Sequence, residues 1–211
     1  MGEKNQKNMT TFSAFVEDGV IIGENVKIYP NVYILGRSKI GDGTIIYPNT
    51  TIENSIIGEG CVIKSSFIED SVVKNNVNVG PFAHIRPGSV IEDECGIGNF
   101  VEVKNATLGK GTKAAHLAYV GDVDVGDNCN IGCGAIFVNY NGKAKNRTKV
   151  GNNCFVGSNC NIVAPVTIAD NSYICAGTTL TVDTEVDDFV IGRCRETIKK
   201  NRAHVYLGED K

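Results

Sequence analysis

A histidine, a few cations and a pair of small residues stand at spacings that could do chemistry. His116 is one of three histidines in the 211-residue chain. Imidazole titrates near neutral pH, so an outward His116 could take a proton from a nucleophile. Tyr119 follows it by three residues. Arg86 and Lys104 are eighteen residues apart. Placed side by side, two cations repel unless an anion such as a sugar phosphate lies between them. Ser158, Ala176 and Arg193 form a third alignment. Two small residues followed by an arginine would make a shallow groove with a cation at its end, a shape that suits a pantetheine arm ending in phosphates. Each feature also has a plainer reading: an idle surface histidine, a solvated charge pair, a coincidence among small residues.

These spacings matter only if the chain stacks with a period that brings the residues together. From Ile22, every sixth residue is isoleucine through Ile28, Ile34, Ile40, Ile46 and Ile52. With occasional five-residue steps the series runs on from Ile57 to Ile131, and it resumes from Val150 to Val186. Glycine often follows the aliphatic residue, and a small or apolar residue takes the fifth slot, as at Val32, Thr44 and Ala83. A period of six is neither the 3.6 of an amphipathic helix nor the two of a half-buried strand. It predicts an all-β, parallel β-helix of hexapeptide repeats. Three hexads close one triangular coil, roughly nine to ten coils follow, and neighbouring coils lie about 4.8 Å apart. Residues about eighteen apart therefore stack. In that frame Arg86 lies beside Lys104, and His116 faces outward between Asn99 and Cys133.

The repeat covers residues 19–193. Residues 1–18 are expected to be a flexible segment and residues 194–211 a tail or short helix across the last coil. The beat breaks once, across "FVNYNGKAKNRTK". An extruded loop near residues 138–149 could reach a neighbouring prism, or be a tolerated surface insertion.

Bulk properties exclude several classes. A net charge of -3 and a pI near 5.7 do not suit a nucleic-acid surface. The first fifteen residues lack the apolar core of a signal peptide, and no run is long enough to span a membrane. A cytoplasmic location is expected. The eight cysteines contain no C-x-x-C pair. Cys61, Cys95, Cys129, Cys154 and Cys160 share the small inward slot, so they are expected to be buried thiols. A metal enzyme on this fold would need three histidines around one ion, and His84, His116 and His204 lack that spacing. No metal is expected.

The segments "GPFAHIRPG", "GNFVEVKNATLG", "KAAHLAYVGD", "DNCNIGCGAIFVNYNGKAK", "FVGSNCNIVAPVTI" and "AGTTLTVD" follow one another in order. Over about residues 79–193 they resemble the C-terminal acetyltransferase domain of the bacterial bifunctional enzymes that make UDP-N-acetylglucosamine. Residues 19–78 match only as the same kind of repeat. The resemblance implies a left-handed β-helix, a homotrimer with active sites at the subunit seams, and glucosamine-1-phosphate N-acetyltransferase activity with acetyl-CoA as cosubstrate. It implies His116 as general base. It places Arg86, Lys104, Tyr119, Asn130 and Lys145 on the amino-sugar phosphate, and Cys133, Asn139, Tyr140, Ser158, Ala176 and Arg193 on acetyl-CoA. A backbone N–H between Gly132 and Ala135 would receive the oxyanion. The chain departs from the family pattern at Asn141, where Asp is usual, and at Asn146, where an aromatic residue is usual. It also departs at Asn105, Ala135 and Cys133. The glycine-rich loop of the family's nucleotidyltransferase domain does not occur here. Two alternatives stay open: a related acyltransferase acting on another amino sugar or sugar nucleotide, and a non-catalytic scaffold subunit.

Overall fold

The computed structural model describes residues 13–207. The expected flexibility of residues 1–12, and the last part of the expected tail, lie outside the described residues. The rest is a parallel β-solenoid of about ten turns, with one four-residue helix, His204–Leu207. No helix among the described residues is long and apolar enough to cross a membrane.

Each turn has three faces. The first carries strands from Lys27–Ile28 to Phe189–Val190, the second from Phe15–Val16 to Thr179–Leu180, the third from Ile21–Ile22 to Thr167–Ile168. All pairings between coils are parallel, as in Ile34↔Ile52 on the second face and Ile40↔Ile57 on the third. Most strands have only two or three residues, because a hexad leaves the rest for the corner. Two are longer. Gly96–Lys104 and Lys113–Gly121 run nine residues each and turn from the first face onto the second without a break. These two strands carry Asn99, Lys104, His116 and Tyr119.

The aliphatic series fills the prism. Ile34, Ile46, Ile52, Ile63, Ile68, Ile85 and Ile91 are fully buried. Burying each such side chain contributes about 1.5–3 kcal/mol. Cys61, Cys95, Cys129, Cys154 and Cys160 are buried free thiols in the fifth slot. The corners use the left-handed backbone, mostly at Asn and Gly, which tolerate it best.

The ends and the loop differ from expectation. Phe15–Val16 already pairs with Tyr33–Ile34, so the solenoid starts ahead of residue 19. Val186, expected inward after Ile168, is 62% exposed, because Thr184 takes the buried third-face position and its N–H donates to Thr167 O at 3.0 Å. The terminal helix buries none of its residues. Phe137 keeps the inward position and is 1% exposed. The beat therefore breaks only after Val138, and the loop leaves between strands Ile136–Val138 and Thr148–Val150.

Candidate active site at two corners of the prism

His116 stands where the first face turns into the second. It pairs across the ladder with Asn99, and its Nδ1 lies 2.7 Å from Asn99 Oδ1. An amide oxygen only accepts, so Nδ1 carries the hydrogen, and in the neutral ring the lone pair is on Nε2. The ring is exposed. The contact fixes the orientation of an exposed ring and leaves Nε2 without a partner among the described residues.

The same corner holds Cys133, Ser158 and Ala176 in the following coils, all exposed. Around Cys133 the backbone donors are committed: Gly132 N–H to Val156 O at 2.7 Å, Gly134 N–H to Leu117 O at 2.6 Å, Ala135 N–H to Gly132 O at 3.2 Å. Cys133 N–H has no acceptor among the described residues and is the free donor of the stretch 132–135 in which an oxyanion donor was expected. The N–H groups of Ser158 and Ala176 are unpaired in the same way. Glycine lets the coils approach closely here. A Cβ on Gly157 would lie 2.5 Å from the Ala176 nitrogen. Arg193 closes the row, and its Nη1 donates to Ala176 O at 3.0 Å. The shifted last coil sets the Arg193 side chain against Gly177, one residue beyond the expected alignment with Ala176.

A second cluster occupies the corner between the second and third faces. Arg86 and Lys104 sit on adjacent coils as expected, but each has its own carboxylate. Arg86 Nη1 is 2.8 Å from Glu102 Oε1, and Lys104 Nζ is 3.8 Å from Asp122 Oδ2. The pair thus does not stand as bare stacked cations. Arg86 Nε is buried without a partner among the described residues. Asp122 is 6% exposed. Its Oδ1 accepts from Asn105 Nδ2 at 2.6 Å and its Oδ2 from Asn139 Nδ2, which also lies 3.1 Å from Tyr119 Oη. Burial alone would raise the Asp122 carboxyl. The two amides and the charges of Lys104 and Lys145 outweigh it and hold the group below its ordinary range. Lys145 reaches the same spot from the loop, and the neighbouring Lys104 pushes its ammonium below its ordinary value.

The loop is built to deliver that lysine. Tyr140 and Lys145 form an antiparallel bridge. Asn141 Oδ1 accepts from the N–H groups of Lys143 at 3.0 Å and Ala144 at 2.8 Å. Capping this turn needs only a side-chain oxygen, so Asn serves where the family has Asp. Arg147 braces the return, with Nε on Asp124 Oδ2 at 2.7 Å and Nη1 on Asn105 O at 2.8 Å. Asn146 leaves its buried Nδ2 without a partner among the described residues.

The structure thus brings Arg86, Lys104, Tyr119, Asn139 and Lys145 to one corner, and His116, Cys133, Ser158, Ala176 and Arg193 to another. Tyr140 is exposed on the loop, at the first of these corners. Asn130 pairs with Lys113 and Phe155 on the first face and makes no side-chain hydrogen bond to either cluster among the described residues. Between the corners lies an open depression of about 440 Å³, lined by Phe100, Leu117, Tyr119 and Ile136 among others. Asn105, Asp122 and Arg147 were not singled out by sequence as site residues. For two of them the spacing was visible, since Asn105, Asp122 and Asn139 are seventeen residues apart, one coil each, but Asx residues recur at many corners of this repeat.

Repeat, solenoid and corner sites agree with the class that the sequence matches: residues 19–54 and 147–181 match the bacterial transferase hexapeptide repeat model. Within it, residues 46–133 match the GlmU-like C-terminal hexapeptide model. The chain is 49% identical over 189 residues to the bifunctional protein GlmU of Caldicellulosiruptor saccharolyticus, covering 90% of this chain and 41% of that one. It is 48% identical over 187 residues to that of a Geobacillus species, covering 89% and 41%. The chain therefore spans about two-fifths of the length of these curated relatives. A solved Arabidopsis UDP-N-acetylglucosamine acyltransferase shares the fold, with a TM-score of 0.64 at 16% identity over 82% of this chain and 68% of that one.

Proposed function

We propose that the chain is an acetyltransferase that moves the acetyl group of acetyl-CoA to the amine of glucosamine-1-phosphate, working as a homotrimer with active sites at the subunit seams. The observation that carries this reading is the open corner: a tautomer-fixed histidine beside a row of unpaired amides. His116 Nε2 takes a proton from the sugar amine, which attacks the thioester carbonyl. Cys133 N–H donates to the oxyanion, and CoA leaves as the thiolate. The amides of Ser158 and Ala176 lie at about strand spacing and fit the amide carbonyls of a pantetheine arm. Arg193 suits its phosphates. Lys104, Lys145 and Arg86 suit the sugar phosphate. No step here requires a metal.

Two features support a seam. The base corner and the cation corner lie at opposite edges of the second face, about four strand residues or ~13 Å apart. Phe82, Phe100 and Leu117 form an exposed ridge at the base corner, 58–59% exposed, with left-handed φ values of 59°, 57° and 37°. Bulky side chains are costly in that conformation. Their place beside the site suits burial against a second copy.

The test is to incubate the purified chain with acetyl-CoA and glucosamine-1-phosphate and detect N-acetylglucosamine-1-phosphate by mass. Product at a rate above the buffer control is expected. No product from this acceptor, with product from another amino sugar, would move the reading to a related acyltransferase. No product from any acceptor and no acetyl-CoA binding would leave a scaffold.

A further inference from the structure

Asp122 is buried at the centre of the cation corner, although the backbone there does not require a carboxylate. Its φ is 50°, close to the 45° and 46° of Asn54 and Asn105 at the same corner in other coils. Asparagine is at home in that conformation. Burying a charge is costly unless it is paired and hydrogen-bonded. Here the charge meets two amide donors, one on each oxygen, and Lys104 at 3.8 Å. A carboxylate accepts on both sides, whereas a carboxamide accepts on one and donates on the other. The backbone joins the same point, with Asp122 N–H donating to Lys104 O at 2.9 Å and Asp122 O accepting from Thr148 N–H at 3.1 Å. Asn139 opens the extruded loop and Thr148 closes it.

We propose that Asp122 is a positioning residue that holds Lys104 directly and Lys145 through Asn139, so that both ammonium groups meet one phosphate. The inference rests on the glucosamine-1-phosphate reading of this site. Two lysines this close repel, and Lys145 sits on an exposed loop. Without a fixed anion between them the loop would swing away. Asp122 supplies that anion and, through Asn139, ties the loop base to the strand that carries Lys104. Arg86 has its own partner in Glu102 and does not depend on Asp122.

The test is Asp122→Asn in the full chain. The KM for glucosamine-1-phosphate is expected to rise roughly tenfold with kcat within about twofold, the loss of a charge-assisted contact expressed in binding. A merely structural role would lower the active fraction and leave KM unchanged. A second readout needs no turnover: brief labelling with acetic anhydride at neutral pH, read lysine by lysine by mass. Removing the carboxylate takes away the anion that pairs with Lys104 and offsets the repulsion between the two ammonium groups, so labelling of Lys104 and Lys145 should rise several-fold while exposed Lys39 stays constant. Unchanged KM and unchanged labelling would overturn the proposal. If the wild-type chain shows no turnover, the functional reading fails by itself and the labelling alone decides the role of Asp122. If Asp122→Asn does not fold, Asn139→Leu cuts the tether and keeps the carboxylate. It should raise labelling at Lys145 and not at Lys104, and equal labelling at both would overturn the tether.

Discussion

Two corners of one prism treat the same backbone N–H in opposite ways. Where the third face turns into the first, an Asp or Asn of the next coil caps most of the amides, leaving those of Asp42, Asp93 and Asp170 without a partner among the described residues. Glu24 N–H donates to Asp42 Oδ1 at 2.8 Å, Glu59 to Asn75 at 2.9 Å, Lys110 to Asp127 at 2.8 Å and Asn152 to Asp170 at 2.7 Å. Where the first face turns into the second, the equivalent amides of Cys133, Ser158 and Ala176 have no cap. Earlier coils put Pro30, Pro48 and Pro81 at this corner, which have no N–H to satisfy. The solenoid thus satisfies most of these donors at one corner, and at the other either removes them with proline or leaves three in successive coils free beside His116. A regular fold makes its site by omission.

Breaking the open corner should have the largest effect. His116→Ala is expected to reduce acetyl transfer by about 10²–10⁴-fold, the usual range for a general base, with the melting temperature unchanged. Initial rates by product mass check this. In energy the next effect falls on the shared interior. Ile97→Ala, under the long strand that turns this corner, should cost about 2–5 kcal/mol in denaturant unfolding and lower activity only through the folded fraction. At the capped corner Asp127→Ala removes the acceptor for Lys110 N–H. It should cost about 0.5–1.5 kcal/mol of stability and leave the KM of both substrates unchanged.

The smallest effect concerns pH at the cation corner. The folded pKa of Asp122 lies below its ordinary value of 3.8. Its stabilising contribution is therefore fully present above about 3.8 and is lost as pH falls through the lower folded value. Unfolding of wild type and Asp122→Asn, measured at pH 7 and again near pH 3, should show the difference between them shrinking at the acid end.

Most of the fold was legible because a buried aliphatic every six residues leaves few alternatives. The inward series held from Ile34 to Leu180. It failed at both ends, at Ile22 and Val186, where no further coil covers the terminal one, and it left out Phe137, whose aromatic ring fills an inward slot. The stacking rule placed His116 beside Asn99 and Arg86 beside Lys104. It did not reveal that both cations carry their own carboxylates, because spacing aligns Cα atoms and says nothing about where long side chains turn. Asp122 was missed for a different reason. Asx residues fill most corners of this fold, and only its burial separates it from the exposed Asp70 at the same corner.

The most direct measurement is calorimetric binding of acetyl-CoA to three proteins: wild type, a Ser158→Pro/Ala176→Pro variant, and Asp127→Ala. Proline is already accommodated where the first face turns into the second, at Pro30, Pro48 and Pro81, so the double variant removes two open donors with little cost to the fold. The expected result is binding weakened by about 5–100-fold in the proline variant, the worth of two hydrogen bonds, and binding equal to wild type in Asp127→Ala. Equal binding by all three folded proteins would contradict the claim that the uncapped corner is the working edge.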